Sequence, residues 1–232
     1  MNHFARTASV AGAAALIAML TACATASAPP VTGPAGSTDT VSATDAPRVA
    51  WLDRMSVAIS TATDGCAPRI TDRSVDDQRI DVTLTAPDDC DAAASGRAGT
   101  YLTIPAGIDT SEPVTIGVIE NGGEASLVEL APYRDGTLIP ADLLPEQVPA
   151  AAWIDEGQLA VLTWGSSSCA PRSGAVVGDV LTLDEPADAV CTMDCAPRIT
   201  LVAAPDVAAD AVLTLDGYTD ESGAPVTLAL HP

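Results

Sequence analysis

Two cysteines near the end of the chain are the residues whose types and spacing most directly suggest chemistry. Cys191 and Cys195 enclose Thr192, Met193 and Asp194. Two thiolates and a thioether suit Cu(I), and a closely spaced cysteine pair can cycle between dithiol and disulfide. One hypothesis is therefore a copper-binding or thiol redox protein that uses Cys191 and Cys195. Against it, no His lies nearby and no thioredoxin-like βαβ pattern surrounds the pair, which favours a structural bridge.

A hydroxyl cluster, Ser166–Ser168, follows Trp164 and Gly165 and is the best candidate for a serine nucleophile. The 232-residue chain has no Lys, however, and its only histidines are His3 and His231. A serine nucleophile needs a neighbouring base, and most protein zinc and copper sites use imidazole. The sequence therefore predicts a polar turn at these serines and neither a catalytic residue nor a metal or cofactor site.

Acidic residues dominate the charge of the chain, with 31 Asp and Glu against 10 Arg and a net charge of −21. The acidic clusters are Asp76-Asp77, Asp88-Asp89 with Asp91, and Asp184-Glu185 with Asp188. Paired carboxylates can hydrolyse glycosides, but the chain has only three Trp, three Tyr and one Phe to stack on sugars. None of the clusters has the spacing of a dedicated calcium loop. The acidic balance also excludes nucleic acid as a partner, because phosphate binding needs clustered cations.

The first 22 residues have the organisation of an export signal. Arg6 precedes an apolar run over residues 8–20 that is too short to span a bilayer. The run ends in Leu20-Thr21-Ala22-Cys23, which resembles the lipobox of bacterial lipoproteins. That resemblance implies cleavage before Cys23 and lipidation of its thiol, with palmitate-type acyl chains holding the protein on the extracellular face of the cell membrane.

Residues 23–48 are rich in Ala, Thr, Ser and Pro and contain no apolar face. Such a composition is typical of a flexible tether. Its root-mean-square span would be roughly 25 to 30 Å by the square-root rule for flexible linkers. We expect the folded part to be held at this distance from the membrane.

The rest of the chain contains a tandem repeat. The stretch Ala50-Trp51-Leu52-Asp53 matches Ala152-Trp153-Ile154-Asp155, and Cys66-Ala67-Pro68-Arg69 matches Cys169-Ala170-Pro171-Arg172. Matches in the same order with small gaps indicate a duplicated unit. Trp51 and Trp153 would anchor the cores of the two copies.

The repeat defines three segments. We expect β units over residues 49–132 and 151–232, joined by a proline-rich connector over 133–150 with at most one helical turn around Ala141–Leu144. Within each unit apolar residues alternate with polar ones, as in Arg79–Thr85, which is typical of strands.

About five short strands per copy are expected. In the first copy they are Ser56–Ser60, Arg79–Thr85, Tyr101–Ile104, Val114–Val118 and Leu127–Leu130. In the second copy they are Leu159–Trp164, Val180–Leu183, Ile199–Val202, Val212–Leu215 and Val226–Leu230. The predicted fold is all-β, with two tandem antiparallel sandwich or barrel-like units. One continuous sandwich formed by both copies is the alternative, because a unit of this size buries a modest core.

The register of the repeat also predicts the disulfides. Cys66 and Cys90 of the first copy correspond to Cys169 and Cys191 of the second, so bridges Cys66–Cys90 and Cys169–Cys191 are expected. Each would contribute about 3 to 4 kcal/mol in the chain-entropy model. Cys195 is left over, or replaces Cys191 as the partner of Cys169.

The lipobox, the tether and the stretch Trp164–Pro171, followed by Cys191-Thr192, together resemble uncharacterised lipoproteins of high-GC Gram-positive bacteria. In those proteins a Gly-Ser-Ser-Ser-Cys-Pro stretch precedes a Cys-Thr-Ala-Asp stretch; here Ala170 precedes the proline and Met193 replaces the Ala. The resemblance implies a β-rich fold and an envelope location and brings no known activity. We therefore expect a non-enzymatic, lipid-anchored binding or structural module, with an envelope protein or the cell wall as its partner.

Overall fold

The computed structural model describes residues 45–64, 66–87, 96–186 and 189–230. The strands of the first repeat are β1 (Arg48–Asp53), β2 (Ser56–Thr63), β3 (Arg69–Asp76), β4 (Arg79–Thr85), β5 (Gly96–Thr103), β6 (Val114–Glu120) and β7 (Ser126–Leu130). Those of the second are β8 (Ala150–Asp155), β9 (Gln158–Gly165), β10 (Gly174–Val177), β11 (Val180–Leu183), β12 (Ala196–Ala203), β13 (Val212–Thr219) and β14 (Pro225–Ala229). The only helical segment in these ranges is a 3-10 turn at Ser167–Cys169. The all-β prediction is confirmed.

The two repeats have the same strand order and, apart from one extra pair in the second, the same pairing. In the first, β1-β2-β5 form one sheet and β3-β4-β6-β7 another; in the second, β8-β9-β12 and β10-β11-β13-β14 follow the same orders, but a parallel pair between β10 and β12 joins all seven strands in one sheet. Both four-stranded sets contain one internal parallel pair, β4 with β6 and β11 with β13. The opening hairpins share even a register irregularity, directly after Trp51 in one and Trp153 in the other. The sequence repeat is therefore also a structural repeat.

Each repeat has seven strands where the sequence predicted about five. The strands that were not predicted are β1 and β3 in the first repeat and their equivalents, β8 and β10, in the second. Strand β3 is exposed along almost its whole length, so the apolar alternation that marks a half-buried strand is absent from its sequence.

The alternating residues of the predicted strand β4 face the interior. Ile80, Val82 and Leu84 are buried in the core of the first repeat, between its two sheets. The second repeat has a separate core built around Leu159, Leu181, Leu213 and Leu215. Both cores consist of aliphatic side chains, as expected of a chain with so few aromatic residues.

A third apolar cluster lies between the repeats and combines four alanines with the larger residues Leu52, Ile154 and Leu162. Ala50 and Ala58 of the first repeat are buried in it together with Ala152 and Ala160 of the second. These positions correspond in the repeat, so the same sheet face of each copy packs against that of the other. Alanine leaves little side-chain volume, which allows the two sheets to approach closely.

Two further contacts join the same faces. Tyr101 and Trp164 meet edge to face with their ring centroids 5.8 Å apart, and a Cβ atom at Gly99 would collide with Ile199. Strand β2 contributes Ala58 to the cluster between the repeats, and six consecutive residues of that strand are buried. Within the part of the chain that the structure describes, the repeats belong to one compact unit.

The connector between the repeats is packed against the first of them. Ile139 is buried in the first core, and the hydroxyl of Thr110 donates to the Thr137 carbonyl at 3.1 Å. Around Ala141–Leu144 the chain makes a turn and not a helix. The predicted signal peptide and nearly all of the predicted tether lie outside the described residues, and β1 begins at Arg48, inside the predicted tether.

Candidate functional site

The candidate site is the end of the second repeat where the Ser-rich and Cys-rich stretches meet. Cys169 and Cys191, which the repeat register pairs, form a disulfide with a Cα–Cα distance of 5.5 Å. Cys169 closes the 3-10 turn and is buried, whereas Cys191 is exposed. The bridge therefore fastens an exposed segment, residues 190–195, to the end of β9. We call this segment the disulfide loop.

Hydroxyl groups hold the base of the disulfide loop. The Thr192 amide donates to Ser168 Oγ at 2.9 Å, and Ser166 Oγ lies 2.8 Å from Thr192 Oγ1. The Ser167 amide donates to Asp194 Oδ1 at 3.1 Å, and the Thr192 hydroxyl donates to the same oxygen. The residues of the polar turn predicted at Ser166–Ser168 thus supply hydrogen-bond donors and acceptors to the disulfide loop.

The Asp194 carboxylate has an unusually low pKa in this arrangement. Hydrogen bonds from Ser167 and Thr192 hold its pKa at about 2, because they stabilise the charged form. So acidic a carboxylate is a poor acceptor for a hydroxyl proton at neutral pH. The hydroxyls here position the loop, and the chemistry of the cluster does not suit a serine nucleophile.

The outer side of the disulfide loop is apolar. Val190 is 98% exposed and Met193 is 103% exposed. Met193 stands between Thr192 and Asp194, both of which are fixed by the hydroxyl contacts. Two exposed apolar side chains are consequently presented on a loop whose backbone is fastened at its base.

A buried arginine that was not among the residues predicted from the sequence supports the same end of the repeat. Arg198 is 7% exposed, and its guanidinium donates to the Cys169 carbonyl at 3.2 Å and to Tyr218 Oη at 3.0 Å. It also forms an ion pair with Glu185 at 3.3 Å. A Cβ atom at Gly165 would come within 2.8 Å of the guanidinium carbon, so glycine makes room for this side chain.

Tyr218 is the third member of this group, which with Arg198 and Glu185 we call the arginine cluster. Its hydroxyl donates to Glu185 Oε1 at 2.6 Å. Burial, followed by the hydrogen bond to Glu185, raises the pKa of Tyr218. Every charge in the cluster has its partner inside the cluster, so its role is to hold β12, β13 and the disulfide together. The one sequence signal for this cluster is the position of Arg198 between Pro197 and Ile199, inside a stretch that is otherwise typical of an apolar strand.

The remaining cysteines are placed as follows. Cys66 is disulfide-bonded, while Cys23 and Cys90 lie outside the described residues, so lipidation at Cys23 and the Cys66–Cys90 pairing stay predictions. Cys195 is free and exposed, and its Sγ lies 3.6 Å from Gln147 Oε1. Since Cys191 is bonded to Cys169, the structure contains no Cys191 and Cys195 dithiol.

The sequence predicts no metal site, and the acidic clusters are the places where carboxylate ligands for one would be found. Over the described ranges, no group of three or more His, Cys, Asp or Glu side chains is arranged to hold a metal ion. Asp88, Asp89, Asp91 and Asp188 lie outside those ranges. Asp184 accepts a hydrogen bond from the Ser173 hydroxyl, and Glu185 accepts one from the Tyr218 hydroxyl.

In the described part of the chain, no helix has the length and apolar character needed to cross a membrane. Compared with models of protein families, with curated proteins and with solved structures, the chain matches none of them.

Proposed function

We propose that this chain is a non-enzymatic, lipid-anchored protein of the outer cell surface that acts by binding an envelope protein or the cell wall. The observation that carries the proposal is the disulfide loop. Because the backbone of the loop is already fastened by the disulfide and by the contacts of Thr192, a partner that covers Val190 and Met193 has little backbone left to order on binding. Methionine is also enriched in protein interfaces.

The chemistry of the chain supports binding over catalysis. General acid–base catalysis most often uses His, Glu, Asp or Lys with a pKa near the working pH, and here Lys is absent and His occurs only at His3 and His231. The Asp194 pKa is displaced away from neutrality. Arg198 and Glu185 are bound to each other. These features favour a scaffold whose polar groups serve structure.

The lipid anchor makes a separate prediction. Cys23→Ala removes the thiol to which the lipid would be attached, so we expect the protein to be released into the medium or to remain unprocessed. Fractionation of cells, with mass spectrometry of the N-terminus, checks this. Cys195→Ser is the matched control and should leave the protein in the membrane fraction. A Cys23→Ala product that is cleaved and still fractionates with the membrane would contradict lipid anchoring.

The alternative function, copper binding or thiol redox chemistry, is favoured by one observation. Cys195 is a free, exposed thiol four residues from the disulfide-bonded Cys191. This alternative requires that mild reduction exposes a second thiol at Cys191 and that the reduced protein binds Cu(I). Both thiols would then have to contribute, so Cys195→Ser should abolish stoichiometric Cu(I) binding if the alternative is correct.

A further inference from the structure

The free thiol of the disulfide loop stands beside a disulfide bond. Cys195 is exposed and unbonded, and Cys191, four residues before it, is also exposed and is bonded to Cys169. A thiolate attacks a disulfide sulfur and forms a new disulfide with it, and the sulfur that it displaces leaves as a thiolate. The disulfide loop therefore holds both reactants of a thiol–disulfide exchange.

The path of the disulfide loop turns its two cysteines towards each other. The chain bends at Met193, and the Thr192 hydroxyl donates to the Asp194 carboxylate across the bend. Both flanks of the bend lie over the same 3-10 turn, because Thr192 is bonded to Ser168 and Asp194 to Ser167. One cysteine directly precedes Thr192 and the other directly follows Asp194. The attacking sulfur has only to cross the width of this bend.

Burial decides which sulfur of the bridge is attacked. Cys169 is 4% exposed, whereas Cys191 is exposed to solvent. The attacking sulfur must approach in line with the S–S bond, from the side opposite the leaving sulfur, and it needs access to that side. Attack on Cys191 starts from the exposed side, where Cys195 lies, and attack on Cys169 would start from the packed side. We expect Cys195 to bond to Cys191 and to displace Cys169.

The surroundings of Cys169 suit a departing thiolate. The Ser168 hydroxyl donates to Cys169 Sγ at 4.0 Å, and the Arg198 guanidinium donates to the Cys169 carbonyl at 3.2 Å. A hydroxyl donor and a neighbouring cation both stabilise a thiolate, and a stabilised thiolate leaves faster. In the first repeat the position equivalent to Arg198 is Ala98. The cation thus occurs in the repeat that also carries the additional cysteine.

We propose that Cys195 exchanges with the bridge and converts it into a Cys191–Cys195 disulfide, which releases the disulfide loop from the end of β9. The Cys195 thiol gives its proton to solvent, and its sulfur bonds to Cys191 Sγ while the bond from Cys191 to Cys169 breaks. The Cys169 sulfur keeps the electron pair of the broken bond and takes up a proton. One thiol and one disulfide are present before and after. The exchange needs no oxidant or reductant, unlike the redox alternative above.

The exchange switches the surface that presents Met193. While Cys169 holds Cys191, the base of the loop is fastened covalently. In the exchanged form, Cys191 and Cys195 close the loop on itself, and hydrogen bonds alone connect it to the 3-10 turn. The consequence for binding rests on the proposed function of the disulfide loop, whereas the exchange itself does not.

The test maps the disulfides of the mature chain carrying Cys23→Ala, which leaves Cys195 as the one cysteine outside the expected bridges. Samples are kept without thiol reagents at about pH 5 and about pH 8.5, quenched in acid and digested with pepsin, because the thiolate is the attacking form. We expect mass spectrometry to detect a Cys191–Cys195 peptide that grows to a constant fraction at the higher pH and is absent at the lower. Its rate of formation should not depend on protein concentration, because the reaction is intramolecular.

Thr192→Val removes the hydroxyl that contacts Ser166 and Asp194 in the fastened form and keeps the shape of the side chain. It should raise the exchanged fraction about fivefold, the factor that one hydrogen bond of typical net strength supplies. Cys195→Ser is the matched control and should keep the bridge from Cys169 throughout.

The proposal would be overturned if neither the parent chain nor Thr192→Val formed a Cys191–Cys195 peptide. Faster formation at higher protein concentration would also overturn it, because the exchange would then occur between chains. An unchanged exchanged fraction in Thr192→Val would contradict the role given to the loop contacts. Failure of a partner to bind at Met193 would leave the bridges as they are, so this proposal and the proposed function fail separately.

Discussion

Replacing both Cys169 and Cys191 by Ala is expected to lower the free energy of unfolding by about 3 kcal/mol. The bridge closes a chain segment with a sequence separation of 22, and its loss lets the unfolded chain gain conformational entropy. The folded state loses as well, because removing the sulfur of the buried Cys169 leaves a gap in its packing. Guanidinium denaturation of the mature chain without reductant measures the change.

The matched control is Cys195→Ser, which alters the neighbouring exposed cysteine and leaves the bridge intact. It should change the unfolding free energy by no more than about 0.5 kcal/mol, as is usual for exposed sites. If Cys195→Ser destabilised the protein as strongly as the double variant, Cys195 would be the working partner of Cys169. The bridge from Cys169 to Cys191 that defines the disulfide loop would then be wrong.

Ala160→Asp is expected to destabilise the protein by about 3 kcal/mol or more, because it places a carboxylate in a dry apolar contact. Ala160 is fully buried in the cluster between the repeats, with Ala58 of the first repeat in the same cluster. The larger, charged side chain has no partner there and also separates the sheets. Calorimetry of the mature chain should show a large fall in the melting temperature.

Ala229→Asp on β14 is the control for Ala160→Asp, since it adds the same charge at an exposed strand position. It should leave the melting temperature nearly unchanged. An equally small effect of both substitutions would contradict close packing of the two repeats through this cluster.

Local alternation and internal repetition were sufficient to predict much of the fold. Ile80, Val82 and Leu84 face the core as their spacing indicates, and the Cys169 and Cys191 positions follow the repeat register. Strand β2 could not be understood in this way. Its burial on both faces arises from packing against the other repeat, and no pattern within β2 itself specifies that partner.

The candidate site was predicted only in part, for a related reason. The sequence placed Ser166–Ser168 in a turn, but their hydrogen bonds are made to Thr192 and Asp194, some 25 residues further along the chain. Arg198 was missed because a charged residue inside a strand normally faces solvent. Its burial depends on the space left by Gly165 and on Glu185 and Tyr218 from other segments.

The sheets show the limit of treating the repeat as two identical halves. The repeat predicts equivalent strands, but pairing between non-adjacent segments depends on how closely two backbones approach. It does not predict that β10 pairs with β12 while β3 and β5 belong to separate sheets.

The most direct measurement of the proposed binding role is photo-crosslinking on intact cells from an unnatural residue placed at position 193 of the anchored protein. Because the chain has no Lys, amine-reactive crosslinkers cannot attach along its side chains. A second variant carries the same photoreactive residue at position 177, where Val177 is 78% exposed on a different hairpin of the same repeat. We expect a reproducible adduct with one envelope protein or wall component from position 193 and not from position 177. No adduct from position 193, or the same adducts from both positions, would contradict binding through the disulfide loop.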